Sequence, residues 1–225
     1  MNEILTEPLE HDAQGFSIKR CSVDTVHEIS LRRSNMTTFD TLMKRNKDFA
    51  AQQSAAGLLM PSLPSALPHV KALIIGCADM RVDPAHVLGL KPGEAVVIRN
   101  IGGRITPGTL EMLGLLGRIA QVAEANPGGG GEFHLIVLHH TDCGITRLAG
   151  NPDMLIDYFE ISKEELTAKA VTDPRAAVAA DVAVLRANPA LPDEWLVSGL
   201  VYNVATGLVD AVVPPTPLRN PEGIE

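Results

Sequence analysis

Cysteine is scarce, with three residues in a 225-residue chain, at positions 21, 77 and 143. So few and so scattered, they exclude the disulfide framework of a small secreted domain and leave metal binding or catalysis as the question for each thiol. Basic clusters are missing too. Nineteen Lys and Arg stand against 27 Asp and Glu, for a net charge of −8, and no cationic run stands out. That argues against nucleic acid or an anionic membrane as partner. No segment approaches the ~18 consecutive apolar residues of a membrane span. The opening residues 1–8 lack the basic start and apolar stretch of a secretory signal, so a cytoplasmic, soluble protein is expected. There is no internal repeat, and no low-complexity stretch beyond the four glycines at 128–131.

What is present is a chain 45% hydrophobic, long enough to bury one sizeable core. Residues 1–34 mix charge, Gly and His without periodicity and read as an extension, mobile or wrapped on another subunit. Residues 35–225 read as a single domain. Behind a Thr cap, Phe39, Leu42, Met43, Phe49 and Ala50 recur at helical spacing, predicting a helix to about Gln53. Pro61, Pro64 and Pro68 mark a linker. Three short apolar runs, Val70 to Gly76, Glu94 to Arg99 and Phe133 to His139, read as buried strands. Between the second and third, Leu110, Leu113, Leu116, Ile119, Ala120 and Ala123 trace one helix face, begun at Thr106-Pro107 and ended at Asn126-Pro127. Strand, helix, strand is the unit of a parallel sheet. Further on, Ser162 with Glu165 suggests a capping box, and Asp173-Pro174 starts a helix to about Asn188. Leu196 to Val204 and Leu208 to Val213 read as two strands joined by a tight turn. The expected fold is α/β: a mainly parallel sheet flanked by helices, with an antiparallel C-terminal edge strand.

Chemistry gathers just past two strand ends. The first strand runs into Cys77-Ala78-Asp79-Met80-Arg81 and the third into His139-His140-Thr141-Asp142-Cys143-Gly144. In open α/β sheets ligands bind at the carboxyl edge, and neighbouring parallel strands would bring the two clusters within bonding distance. Two thiolates and one imidazole suit zinc, with a fourth tetrahedral position open for chemistry. A lone His-x-x-Cys arises by chance, and a lone buried Cys is commonly a small apolar filler; the joint placement is what carries the signal. Asp79 and Arg81 admit two readings, a plain ion pair on a loop or a carboxylate beside the metal held off it by the arginine.

Cys-x-Asp-x-Arg followed downstream by His-x-x-Cys-Gly resembles the paired signature of the β-class carbonic anhydrases. Arg99-Asn100-Ile101-Gly102-Gly103 is similar to that family's Arg-Asn-Ala-Gly-Gly segment. Leu42 to Phe49 resembles its N-terminal helix, and Val201 to Gly207 its last hairpin. The likeness thus spans roughly Thr37 to Val213. It implies Zn²⁺ held by Cys77, His140 and Cys143, and hydration of CO₂ to bicarbonate by zinc-bound hydroxide, with Asp79 and Arg81 as the orienting dyad. It also implies a substrate pocket at Ile101, Gly102 and Gly103, the glycines letting backbone approach the small substrate, and a homodimer or larger homo-oligomer. Of the two adjacent histidines, the family spacing selects His140 as the ligand and leaves His139 structural or behind the ligands. Cys21, His11 and His27 fall outside the match, and His86 and His134 carry no partner pattern.

Ile101 stands where the family pattern has Ala, and this enlargement bears on which small linear molecule fits. Carbonyl sulfide and carbon disulfide hydrolases share the same ligands, so carbonyl sulfide hydrolysis is the alternative activity. Two further readings stay open at this level. One is a non-catalytic zinc site closed by Asp79; the other makes Cys77 a thiolate nucleophile with Arg81 binding an anion, though no glycine-rich phosphate cradle lies after it.

Overall fold

The structure, a computed structural model, describes residues 37–123 and 131–219. The arm expected over residues 1–34, with Cys21, His11 and His27, lies outside the described residues, as does the Asn126-Pro127 helix stop. The chain divides into one unit, Met1–Leu59, and a second, Met60–Glu225.

In the first unit, helix α1 (Thr38–Ala56) starts on a reciprocal cap. The Thr37 hydroxyl accepts the Asp40 N–H at 3.1 Å, and the Asp40 carboxylate accepts the Thr37 N–H at 3.1 Å, so two donors that the first turn leaves unpaired are satisfied. None of its residues is buried. Phe39, Leu42 and Phe49 are each more than half exposed.

The second unit is built on a five-stranded sheet of β1 (Ala72–Cys77), β2 (Ala95–Asn100), β3 (His134–His140), β4 (Leu196–Tyr202) and β5 (Val209–Pro217), in the order β2-β1-β3-β4-β5. The first four are parallel and β5 runs antiparallel to β4. Every residue of β1 is buried, as the uninterrupted apolar run predicts for a central strand covered on both faces. Leu73, Ile75, Leu135, Val137 and Val197 pack with Leu113 of helix α4 (Pro107–Val122) and with Val178, Val182 and Leu185 of helix α6 (Pro174–Ala187). Ile74 and Leu138 point the other way, with Val87, Leu88 and Leu90 against them. Each fully buried aliphatic contributes about 1.5–3 kcal/mol relative to exposure.

Three short helices complete the fold: α2 (Leu63–Ala66), α3 (Pro84–Val87) and α5 (Pro152–Phe159). Ser162 and Glu165 meet as expected, the Glu165 carboxylate accepting the Ser162 N–H at 2.8 Å, but the helix they start is only a short 3₁₀ segment, Glu165–Lys169. On α4 the apolar stripe is only partly covered, with Leu113 buried and Ile119 48% exposed. Strand β5 continues through Pro214, Pro215 and Pro217, which an edge strand with an irregular register against β4 tolerates.

The order β2-β1-β3 places the site. From β1 the chain crosses to one side to form β2, then returns past β1 to form β3. The crevice between the carboxyl ends of β1 and β3 is therefore the topological switch point. Cys77 ends β1 and His140 ends β3.

Candidate metal centre

Cys77, His140 and Cys143 converge in that crevice, all three buried, with their ligand atoms within 4.8 Å of one another. The two sulfurs lie 3.7 Å apart. That is far beyond the ~2.05 Å of a disulfide, and it matches the roughly 3.8 Å edge of a tetrahedron with metal–sulfur bonds of about 2.3 Å. The imidazole is set for the same purpose. Its Nδ1 lies 2.9 Å from the Thr141 carbonyl, which can only accept, so Nδ1 carries the proton and Nε2 keeps its lone pair. Nε2 is buried and has no hydrogen-bond partner among the described residues. An orphaned, buried lone pair beside two thiols is costly unless something electrophilic fills the space between them, so the donor set fits a zinc-sized metal ion.

The sulfurs share their protons unequally. The Cys143 thiol, ahead of His140 and the backbone N–H groups of Asp79 and Gly102, draws the Cys77 pKa down to about 4 against the opposing effect of burial. Cys143 is pushed up, first by Cys77 and then by burial. A cation bound between the two sulfurs would displace the thiol protons. Burial works to lower the His140 pKa, but the Cys77 sulfur, the Thr141 carbonyl and Asp79 together reverse it and the net shift is upward.

Beside the cluster, Asp79 and Arg81 form a closed pair. Asp79 Oδ1 accepts from the Arg81 backbone N–H at 2.9 Å and from Nε at 3.0 Å, and Oδ2 accepts from Nη2 at 2.7 Å. The Arg81 guanidinium holds the Asp79 carboxyl well below the usual carboxylate range. Arg81 is itself braced, donating to Asp142 Oδ2 and to the Asp142 carbonyl, both at 2.9 Å. Asp142 sits in the left-handed region at φ 52, which turns both of its acceptors toward the arginine. Asp79 Oδ2 remains 4.0 Å from His140 Nε2 and accepts a single hydrogen bond, from Arg81 Nη2, among the described residues.

The family model for carbonic anhydrase matches residues 72–209. β-Carbonic anhydrase 1 of Mycobacterium tuberculosis is 28% identical over 185 residues, covering 80% of this chain and all of that protein. A carbon disulfide hydrolase of Acidianus is 26% identical over 193 residues, 74% of this chain and 85% of that protein. Among solved structures, the carbonic anhydrase of Streptococcus mutans superposes with a TM-score of 0.55 at 29% identity, over 79% of this chain and 98% of that one. The chain belongs to the β-class carbonic anhydrases.

Within this β-class carbonic anhydrase fold a mainly apolar cavity of about 330 Å³ opens onto the cluster, lined by Cys77, Asp79, Ile101, Gly102, Ile145 and Leu148 among others. Ile101 and Gly102 thus stand where the pocket was expected. Gly103 does not line it. It sits at φ +68, and a Cβ there would come within 2.9 Å of the Cys77 nitrogen, 3.0 Å of the Gly76 carbonyl carbon and 3.1 Å of the Leu138 oxygen. Its lack of a side chain serves backbone packing against β1 and β3 rather than substrate room, a correction to the expectation. A second cavity of about 200 Å³ is bounded by Arg104, His139, His140 and Cys143 with others.

Several residues around the site were given no individual role from the sequence. Asn100 braces the loop after β2, donating to the Arg104 carbonyl at 2.8 Å and accepting the Arg104 N–H at 2.8 Å. Tyr158 donates to the Ile101 carbonyl at 2.7 Å, and burial pushes its hydroxyl up to about 12. Arg99 donates to the Cys77 and Asp79 carbonyls at 2.9 and 2.6 Å. Asp181 of α6 is fully buried with Arg104 and His139. Its signal was a lone acid on the apolar face of Ala177, Val178, Val182 and Leu185. His86 is exposed and His134 half-buried.

Proposed function

We propose that this chain is a zinc-dependent carbonate dehydratase, interconverting CO₂ and bicarbonate in the crevice between β1 and β3. The observation that carries the reading is the pairing of an orphaned His140 Nε2 with two sulfurs at tetrahedral spacing, opening on a small apolar cavity.

Cys77, His140 and Cys143 would hold the ion, and they match it chemically: two soft sulfurs, one borderline nitrogen, three protein ligands in all. Zinc bound there would supply a Lewis acid able to bring a water's pKa to about 7. The chain's own residues do the rest. Asp79, kept ionised and turned away from the ligands by Arg81, is an acceptor for a proton at the open fourth position, and it orients the nucleophile toward the cavity. Ile101, Ile145 and Leu148 supply an apolar wall suited to a linear, uncharged molecule. Carboxylate capture by Arg81 also argues against a metal site permanently closed by Asp79, since closure would require breaking three hydrogen bonds to the arginine. A second sulfur 3.7 Å from Cys77 and an aimed imidazole are unneeded by a lone thiolate nucleophile.

Hydrolysis of carbonyl sulfide, or of carbon disulfide, is the second reading. It is favoured by Ile101, whose half-exposed side chain narrows and greases the cavity, and by the likeness to the Acidianus enzyme. Parallel assays of CO₂ hydration and carbonyl sulfide hydrolysis on zinc-loaded protein separate the two. Fast CO₂ turnover is expected; sulfide release with negligible CO₂ turnover would transfer the assignment. In this reading the protein acts in the cytoplasm, and as a homo-oligomer, the latter supported by the exposed Phe39, Leu42 and Phe49 of α1.

A further inference from the structure

The histidine beside the proposed ligand faces the opposite side of β3. His139 Nε2 lies 3.2 Å from the Gly103 carbonyl and 3.2 Å from Asp181 Oδ2. Both are acceptors only, so Nε2 carries the proton and is shared between them. Asp181, with none of its surface exposed, also accepts from Arg104 Nε at 2.6 Å, from Arg104 Nη2 at 3.3 Å and from the Ile105 N–H at 3.3 Å. Arg104 reaches on to the Lys169 carbonyl at 2.7 Å and lies over the Phe159 ring, 5.0 Å from its centroid. One carboxylate on α6 therefore gathers the loop after β2, strand β3 and the 3₁₀ segment Glu165–Lys169.

As core filler this is a poor choice. A buried Asp–Arg pair desolvates two charges, and apolar side chains of like volume would stabilise the interior at least as well. What the ion pair provides is fixed geometry, and the geometry is that of Gly103. Its backbone has no slack against the Cys77 nitrogen and the Leu138 oxygen. Its neighbour Gly102 lines the same cavity wall as Cys77.

We propose that His139 and Asp181 are positioning residues for the metal centre: Asp181 holds the His139 ring, and the hydrogen bond from His139 Nε2 to the Gly103 carbonyl sets where the Gly102–Gly103 backbone lies against Cys77. Neither touches the metal position or the substrate cavity. They act through backbone, as outer partners act on ligands elsewhere, and the coupling calls for direct measurement.

The test uses the full chain loaded with cobalt(II), whose absorption reports the ligand field. His139→Leu removes the donor while keeping bulk, and His139→Gln returns an N–H near the position of Nε2. His139→Leu is expected to shift the cobalt bands, to weaken cobalt affinity in chelator competition by about tenfold and to lower kcat/KM for CO₂ by about tenfold or more. His139→Gln is expected to restore all three. A His139→Leu protein with wild-type bands and affinity would overturn the proposal, whatever its melting temperature. Should His139→Leu fail to fold, His139→Asn, which stays polar but ends short of both acceptors, is read the same way. The kinetic arm rests on the proposed function and the cobalt arm does not. Wild-type protein inert toward CO₂ and carbonyl sulfide would sink that function and leave the bands to decide the positioning role.

Discussion

Arg81 makes three hydrogen bonds to the Asp79 carboxylate, and under the proposed function substitution of this pair should separate binding from turnover. Asp79→Ala is expected to keep stoichiometric zinc by elemental analysis while losing CO₂ turnover by about 10–100-fold. Loss of the zinc would instead make Asp79 an essential ligand. Cys77→Ala or Cys143→Ala should give the opposite pattern, folded protein without stoichiometric zinc and no turnover, because two remaining donors cannot close a tetrahedral site. Ile101→Ala enlarges the cavity by three carbons. Losing that apolar wall should lower the ratio of carbonyl sulfide to CO₂ turnover, each methylene being worth ~10–200-fold in a tight apolar pocket; an unchanged ratio would remove Ile101 from specificity. The Cys77, His140 and Cys143 group that could hold a metal ion and the Asp79–Arg81 pair were visible in the sequence, because strand ends and short spacing carry them. Gly103 was misjudged. Its contacts are with the Cys77 nitrogen and the Leu138 oxygen, on strands that only the folded sheet brings together.

Among the elements, the loop after β2 and helix α6 bear the most strain on substitution. Gly103→Ala must place a side chain at positive φ against backbone, costing ~1–2 kcal/mol for the conformation alone and more for the overlap, so its urea midpoint should fall well below wild type. Asp181→Ala leaves Arg104 buried and unpaired, an expected loss of about 3–5 kcal/mol. Burial works to raise the Asp181 pKa, but His139 and Arg104 outweigh it and the net shift is downward. A carboxylate with a depressed folded pKa stabilises above its unfolded value, near 3.9, and that contribution is lost as pH falls through the folded pKa. The stability difference between wild type and Asp181→Asn should therefore be flat from about pH 7 to 5 and shrink below about pH 4. A difference independent of pH down to about 2 would show that Asp181 is not ionised in the fold. At this scale the strands, α4 and α6 were legible from apolar runs and from Thr106-Pro107 and Asp173-Pro174. Helix α5 was not, since eight residues give too few turns for periodicity to register. The proline-bearing end of β5 was hidden because edge position decides whether proline is tolerated, and edge position is a property of the sheet.

For the whole molecule, α1 buries none of its residues although Phe39, Leu42 and Phe49 line it. Covering the part of each aromatic or leucine that is still exposed would contribute up to about 1.5–3 kcal/mol, which a second copy could supply. Sedimentation at micromolar concentration should show a dimer or larger; a stable, active monomer would contradict the oligomer. No helix of the described residues is long and apolar enough to cross a membrane. The most direct test of the central claim is stopped-flow CO₂ hydration at about pH 7 and about pH 8.5, either side of the expected water pKa, on protein of known zinc content, with carbonyl sulfide hydrolysis measured on the same sample. The account predicts rapid CO₂ turnover that rises in proportion to bound zinc and disappears on chelation. Full zinc occupancy with no CO₂ turnover at either pH would contradict it.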